Sequence, residues 1–187
     1  MENAEEGAPR QATTPTVLVV DDEEVVRDLV SRMLRRAGYH VLCAVHGGDG
    51  LRRLRAEEVD VIITDMLMPE MNGIELIEAV RQERPDVKVI AVSGVGSRVR
   101  HLHMAMQRGA DAMLLKPVAR ADLVQTVEQV MAERREQLLQ NYRDQSERMR
   151  KLADEAPTVM LRQQLLDIAR EYDELADAAR SEPPHSH

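Results

Sequence analysis

The sequence predicts an α/β domain built on a doubly wound, five-stranded parallel sheet, followed by an all-α helical hairpin. Five short apolar runs, typical of strands that are buried on both faces, alternate with segments whose apolar residues recur at helical spacing. Such alternation is typical of a parallel sheet that is covered by helices on both sides. Beyond it, two long stretches keep a heptad-like helical spacing without an intervening strand.

The composition narrows the class of protein. The formal net charge of -8 argues against a broad nucleic-acid surface. Phe and Trp are absent and Tyr occurs three times, so the core must be aliphatic. No apolar run approaches the roughly 20 residues that a membrane-spanning helix needs, and no basic region followed by an apolar stretch marks a secretory signal. We therefore expect a cytoplasmic protein that is not in a membrane.

The elements follow one another in a regular order. We predict strands at 16–20, 39–44, 59–64, 87–92 and 112–115. Between and after them we predict helices that begin near Val25, Gly47, Gly73, Arg98 and Ala119. Gly38 and Gly109 stand where helices commonly end, and Pro85 stops the third helix.

Polar side chains follow four of the predicted strands. Asp21 and Asp22 come after the first strand, Asp65 after the third, Ser93 after the fourth and Lys116 after the fifth. Because the strands are parallel, their carboxyl ends share one edge, which is where open α/β sheets place their ligands. Each residue also has a structural interpretation, such as helix capping or a loop hydrogen bond. Their convergence on one edge favours a functional site.

Three carboxylates at one edge repel each other, so a cation is needed to keep them ionised at neutral pH. Oxygen ligands suit Mg²⁺, and we predict that Asp22 and Asp65 bind it directly while Asp21 binds through water. Asp65 could then attack a phosphoryl group, since carboxylates form acyl phosphates. Ser93 and Lys116 would contact the phosphoryl oxygens, so that catalysis consists of positioning and charge neutralisation.

Over residues 16–130 the sequence resembles the receiver domain of bacterial two-component response regulators, which has a CheY-like, flavodoxin-like fold. The resemblance is carried by Asp21-Asp22, Asp65 with Pro69 and Gly73 downstream, Ser93-Gly94 and Lys116-Pro117. The family has no enzymatic activity beyond its own phosphorylation and autodephosphorylation, so the resemblance implies a signalling protein.

The resemblance also implies a role for each matching residue. Asp65 accepts a phosphoryl group from a sensor histidine kinase or a phosphotransfer protein. Asp22, Asp65 and the main-chain carbonyl of Leu67 hold Mg²⁺, Ser93 moves toward the phosphoryl group, and Lys116 bridges to it. The family usually has an aromatic switch residue three positions before the lysine, where this chain has Met113. A thioether lacks a ring and a hydroxyl, so switching is expected to differ.

We expect the output surface on the fourth helix and its flanks, where basic residues and histidines crowd the sequence: Arg98, Arg100, His101, His103 and Arg108. Two other classes of site fit less well. A phospho-aspartate hydrolase of the haloacid-dehalogenase type would need a second acid where Leu67 stands. A dinucleotide site at Gly94-Val95-Gly96 would need a third glycine at Val99 and a loop after the first strand.

The sequence divides into a disordered leader (1–15), a receiver domain (16–135), a helical hairpin or coiled coil (136–181) and a disordered tail (182–187). We predict an antiparallel hairpin that bends near Pro157 and pairs Leu152 with Leu161 and Tyr142 with Tyr172. A two-helix hairpin is marginal alone. We therefore expect a homodimer in which an outer edge that includes Ala169 meets a second copy.

The alternative function is a DNA-binding transcriptional regulator that uses the C-terminal helices. Residues 139–187 contain seven Lys or Arg and ten Asp or Glu. The two predicted helices are also longer than those of a helix-turn-helix. We therefore favour a protein-interaction module and expect no nucleic-acid partner, with DNA binding as the alternative.

Overall fold

The computed structural model describes residues 14–94 and 104–181. Residues 1–13 of the predicted leader, the predicted tail at 182–187 and residues 95–103 lie outside the described chain. The elements in chain order are β1 (Thr16–Val20), α1 (Glu24–Arg36), β2 (His40–Ala44), α2 (Gly47–Ala56), β3 (Val61–Asp65), α3 (Gly73–Glu83), β4 (Lys88–Ser93), α4 (helical residues 104–107), β5 (Ala112–Leu115), α5 (Arg120–Asp154) and α6 (Val159–Ser181).

The five strands form one parallel sheet in the order β2-β1-β3-β4-β5. This confirms the predicted doubly wound sheet, in which the chain reverses its direction of winding at β1 and β3. Val19 pairs with Ile63, and Ile63 pairs with Ile90. Asp65 pairs with Val92, so it is the last residue of β3 and does not follow the strand. The paired register brings the carboxyl ends of the strands together.

Alternate residues of the central strands enter two separate cores. Leu18 and Ile62 pack on one side of the sheet with α2 and α3. Val19 and Ile63 pack on the other side, where α1 and the start of α5 cover them. Every residue of β3 is buried. Burial on both faces explains why these strands read as continuous apolar runs in the sequence.

The start of α3 is fixed by a capping box. The Asn72 side chain accepts hydrogen bonds from the main-chain N–H groups of Ile74 at 2.9 Å and Glu75 at 3.1 Å. In return, the Glu75 carboxylate accepts from the Asn72 N–H at 2.9 Å. This reciprocal arrangement satisfies N–H groups that the first turn leaves unpaired. It also holds the loop that leads from Asp65 to α3.

The described chain divides into two compact units, 14–132 and 133–181. The division falls inside α5, which runs without interruption for 35 residues. The predicted boundary at 135–136 therefore lies within a helix. Among the described helices, none combines the length and the apolar character needed to cross a membrane.

In the second unit, α5 and α6 come together as a hairpin. The Tyr142 and Tyr172 rings lie 6.4 Å apart between centroids, as the predicted register requires. The predicted mutual burial of the large apolar stripes is wrong, because Leu152 and Leu161 remain 43% and 40% exposed. Small residues occupy the buried seam, and they include Ala169, which we had predicted on the outer edge.

Candidate functional site

The polar residues predicted from the strand ends meet at one edge of the sheet. Asp21 follows β1, Asp65 ends β3, Ser93 ends β4 and Lys116 follows β5. Carboxylate oxygens of Asp21, Asp22 and Asp65 all lie within 4.8 Å of one another. Side chains from strands far apart in the sequence therefore form one cluster.

The three carboxylates differ in their exposure. Asp21 and Asp65 are only 4% and 7% exposed, whereas Asp22 is exposed. Asp21 is also the most firmly held: its Oδ1 accepts from the Glu23 N–H at 2.9 Å, and its carbonyl accepts from Arg27 Nη1 at 2.7 Å. Neither Glu23 nor Arg27 is predicted from the sequence to belong to the site. Asp21 and Asp65 thus form the buried part of the cluster, and Asp22 forms the part that is open to solvent.

Lys116 supplies positive charge to the cluster. Its Nζ lies 2.9 Å from Asp21 Oδ2, 3.2 Å from Asp65 Oδ2 and 3.7 Å from Glu23 Oε1. Desolvation opposes its charge, but the hydrogen bond to Asp21 and the charge of Asp65 outweigh that effect and raise the pKa of Lys116. Lys116 is therefore a charged counter-ion for two buried carboxylates. The peptide bond from Lys116 to Pro117 is cis.

Asp65 lies in an environment that disfavours its negative charge. Burial is the main reason that the pKa of Asp65 is raised, and the neighbouring charge of Asp21 adds to the effect. Lys116 and the Met66 N–H, which donates to Asp65 Oδ1 at 2.9 Å, act in the opposite direction. Lys116 and the Met66 N–H thus offset the combined effects of burial and of Asp21 only in part. A second cation at this position would stabilise the ionised carboxylate.

The donor set suits a hard divalent cation such as Mg²⁺. All three clustered side chains offer carboxylate oxygens, and one of them is open to water, so bound water could complete the coordination. Leu67 stands two residues after Asp65 with its apolar side chain exposed. The only group with which it could bind a metal is its main-chain carbonyl.

Gly73 permits a close approach beside Asp65. A Cβ atom at Gly73 would lie 2.3 Å from the Asp65 carbonyl oxygen and 2.9 Å from Met66 Cα. Both distances are too short for any other residue, so the first turn of α3 packs directly on the end of β3. From the sequence, Gly73 is interpreted as a helix start and as a residue of the family pattern. The structure adds a steric reason for glycine at this position.

Ser93 and Met113 lie in the adjoining strands. Ser93 is buried at the end of β4, and its carbonyl accepts from the Lys116 N–H at 2.9 Å. Met113 is half-buried in β5 and packs against the core that α2 and α3 cover.

Among the predicted output residues, Arg108 forms an ion pair with Glu78. The others lie outside the described residues: Arg98, Arg100, His101 and His103.

Comparison with known proteins places this geometry in a family. Residues 17–128 match the model of the response regulator receiver domain. In solved structures, the chain is similar to a CheY-like response regulator receiver domain protein from Methanospirillum hungatei. The TM-score is 0.64 at 30% sequence identity, and the match covers 67% of this chain and 99% of that one.

Curated relatives match a similar share of the chain. Transcriptional regulatory protein PrrA of Mycobacterium tuberculosis is 36% identical over 122 residues, which are 65% of this chain and 52% of PrrA. The DNA-binding transcriptional regulator NtrC of Azospirillum brasilense is 33% identical over 62% of this chain and 24% of NtrC. A protein-glutamate methylesterase/protein-glutamine glutaminase of Caulobacter vibrioides is 38% identical over 55% and 30%, respectively.

The chain spans about half the length of PrrA and less of the other two relatives. Because two of these names denote regulators of transcription, the relatives do not support our exclusion of nucleic acid as a partner. Through residues 17–128, this chain belongs to the response regulator receiver domain family.

Proposed function

We propose that the chain is a two-component response regulator whose phosphoacceptor is Asp65. The observation that carries the proposal is the placement of Asp65. It ends the central strand, its Oδ2 lies 3.2 Å from Lys116 Nζ, and it belongs to a cluster of three carboxylates. The phosphoryl donor would be a sensor histidine kinase or a phosphotransfer protein, with which receiver domains interact.

In the proposed step, a carboxylate oxygen of Asp65 attacks the phosphorus of a phosphohistidine. The new O–P bond forms as the N–P bond breaks, and the electron pair of that bond returns to the imidazole. Mg²⁺ held by Asp22, Asp65 and the Leu67 carbonyl, with Asp21 acting through water, would neutralise charge on the phosphoryl oxygens. This chain would catalyse only its own phosphorylation and dephosphorylation.

The chain's own groups would position the reacting atoms. The Met66 N–H holds Asp65 Oδ1 at 2.9 Å, which leaves Oδ2 directed toward Lys116. After transfer, Lys116 would pair with a phosphoryl oxygen, and the Ser93 hydroxyl would donate to another. Because Lys116 already lies beside Asp65, it needs little reorganisation, which is how preorganised electrostatics lowers a barrier.

We propose that the signal leaves the receiver through protein–protein contacts of the α5–α6 hairpin, in the cytoplasm as predicted from the sequence. With Met113 in place of the usual aromatic residue, no aromatic side chain can report the phosphorylated state at this position. The division into a receiver up to residue 135 and a hairpin at 136–181 is part of this proposal.

A second candidate is a DNA-binding regulator, favoured by the names of relatives such as PrrA and NtrC. The acidic excess of residues 139–187 opposes it, because DNA affinity depends mainly on contacts of basic side chains with phosphates. A mobility-shift titration with mixed-sequence duplex DNA at low salt separates the two candidates. A shift that is lost when the hairpin is deleted would favour DNA binding.

The phosphoacceptor proposal is tested by incubating the full chain with a small phosphodonor and Mg²⁺. Intact-mass measurement should show one added phosphoryl group that is acid-stable and base-labile. Asp65→Asn should abolish the addition. Asp28→Asn is the matched control, because Asp28 is an exposed residue of α1 that pairs only with Arg32 in the described chain. Equal incorporation in Asp65→Asn and the wild type would disprove the proposal.

A further inference from the structure

The two helices of the hairpin approach each other along a seam of small residues. Ser146 and Ala153 of α5 and Ala169 and Ala176 of α6 are all buried. Within each helix the two positions are seven residues apart, which is the heptad repeat of a coiled coil. Because these side chains are small, the helices pack closely, and the larger apolar side chains lie beside the seam instead of inside it.

One side of the seam is closed by polar contacts. The Ser146 hydroxyl donates to Asp173 Oδ1 at 2.7 Å and accepts from Arg150 Nη1 at 2.8 Å. The Arg150 guanidinium also forms an ion pair with Asp173. These bonds cross between the two helices and fix their register.

The other side of the seam is apolar and open. At 3.6 residues per turn, Tyr142 and Met149 lie on the side of Ser146 opposite to Arg150. On α6, Tyr172 lies on the corresponding side, and its contact with Tyr142 shows that both stripes share one face. We define this apolar face by Tyr142, Met149, Leu152, Leu161, Ile168 and Tyr172. Leu152, Leu161 and Ile168 are 38% to 43% exposed.

The rims of the apolar face carry opposite charges. On the α5 rim, the heptad positions are Arg134, Asn141 and Arg148, and on the α6 rim they are Gln164, Glu171 and Ala178. Arg148 and Glu171 are both exposed. Arg134 and Arg148 therefore make the α5 rim basic, and Glu171 gives the α6 rim one negative charge. When two copies of this surface face each other with α5 of one copy opposite α6 of the other, rims of opposite charge lie side by side. The surface is therefore complementary to a second copy of itself.

We propose that the apolar face binds the same face of a second copy of this chain, with α5 of one copy against α6 of the other. A two-fold axis parallel to the helices produces this arrangement and forms a four-helix bundle. It places Arg148 beside Glu171 of the second copy, and this pair occurs twice. The other simple two-fold pairing sets α5 against α5, where the basic rims would repel.

The geometry of one hairpin shows that the two charges can meet. Tyr142 lies level with Tyr172, so Glu171 lies level with residue 143, which is five residues from Arg148. At about 1.5 Å per residue, the offset along the axis is roughly 8 Å. Side chains in a helix tilt toward its N-terminus. Since the neighbouring helices are antiparallel, the tilts of Arg148 and Glu171 carry the two charged groups toward each other.

The experiment measures the mass of the unphosphorylated full chain in solution by sedimentation over a range of protein concentrations. The wild type should dimerise. Arg148→Glu and Glu171→Arg should each weaken the dimer about tenfold, because each replaces two attractive pairs with two repulsive ones. The double variant Arg148→Glu/Glu171→Arg should restore the wild-type affinity. An equimolar mixture of the two single variants should also dimerise.

Ile168→Asp tests the apolar contact and should yield a monomer that keeps its helical circular dichroism. Val159→Asp is the matched control, since Val159 is 86% exposed and lies on α6 outside the apolar face. A monomeric wild type would overturn the proposal. So would single charge reversals that leave the dimer unchanged. The inference rests on the proposed interaction role of the hairpin, but its test is independent of phosphoryl transfer to Asp65.

Discussion

The ammonium group of Lys116 lies 3.2 Å from a carboxylate oxygen of Asp65, with both side chains largely withdrawn from solvent. The same ammonium group lies 2.9 Å from Asp21. In this structure the lysine serves as the counter-ion of two buried acids. In our account it later binds an oxygen of the phosphoryl group on Asp65. The same side chain thus links the stability of the receiver unit to its chemistry.

Replacing Lys116 by Met should therefore affect both properties. The substitution removes the ammonium group, so Asp21 and Asp65 lose a charged partner. The free energy of unfolding in metal-free buffer should therefore fall by about 1–3 kcal/mol. Urea titration measures this change, and added Mg²⁺ should recover part of it. Lys151→Met is the control, because Lys151 is exposed on α5 and pairs only with Glu147 in the described chain. Unchanged stability in Lys116→Met would contradict this account of the site.

Asp22 should matter for metal binding and not for folding. It is the exposed member of the cluster, so its removal relieves repulsion without leaving a buried group unpaired. Asp22→Ala should weaken Mg²⁺ binding, measured by calorimetric titration, and leave the metal-free protein as stable as the wild type or more so. Glu24→Ala, at an exposed acid of the first turn of α1, should leave Mg²⁺ affinity unchanged. A clearly lower melting temperature of metal-free Asp22→Ala would instead indicate a structural capping role.

Gly73→Ala should disturb the site through sterics alone. The added methyl group would lie 2.3 Å from the Asp65 carbonyl, so either α3 or the end of β3 must move. We expect a loss of about 1–3 kcal/mol in the free energy of unfolding and slower phosphoryl uptake. Gly48→Ala is the control, because its methyl group would meet only the His46 ring at 3.3 Å. Wild-type stability in Gly73→Ala would contradict the steric role of glycine at this position.

Tyr39 should make the receiver unit sensitive to high pH. Burial, with a smaller effect from the charge of Glu128, raises the pKa of Tyr39 to about 12, compared with about 10 for an unfolded chain. Because the folded pKa is the higher one, its contribution to stability is complete below pH 10 and is lost as the pH rises toward 12. Tyr39→Phe should show a smaller loss of stability over this window in urea titrations. Tyr142→Phe, in the hairpin, should retain the wild-type loss.

The sheet and the site could be predicted because their signals are local. The apolar runs of β1 and β3 mark buried strands, and parallel order then places Asp21, Asp65 and Lys116 at one edge. The direct pairing of Lys116 with both acids was not predicted, because spacing along a chain contains no information on side-chain distances. The same holds for Arg81, which donates to the Asp111 carboxylate and to the main-chain carbonyls of Val87 and Gly109.

The packing of the hairpin was harder to predict. Periodicity identified the two stripes and the Tyr142–Tyr172 pair, but it favoured the largest apolar side chains as the interior. The buried seam instead contains Ser146 and Ala169, whose side chains are small. An alanine in an amphipathic helix is compatible with either location. Only the close approach of two helices distinguishes them.

The central claim is that Asp65 itself carries the phosphoryl group, and mapping the modified residue tests it most directly. Protein treated with a small phosphodonor and Mg²⁺ is reduced with borohydride, which converts an aspartyl phosphate to homoserine, and its peptides are sequenced by mass spectrometry. We predict homoserine at position 65 only, and none when Mg²⁺ is removed by chelation. Homoserine at position 21 or 22, or a phosphoryl group on Ser93 with Asp65 unmodified, would contradict the account.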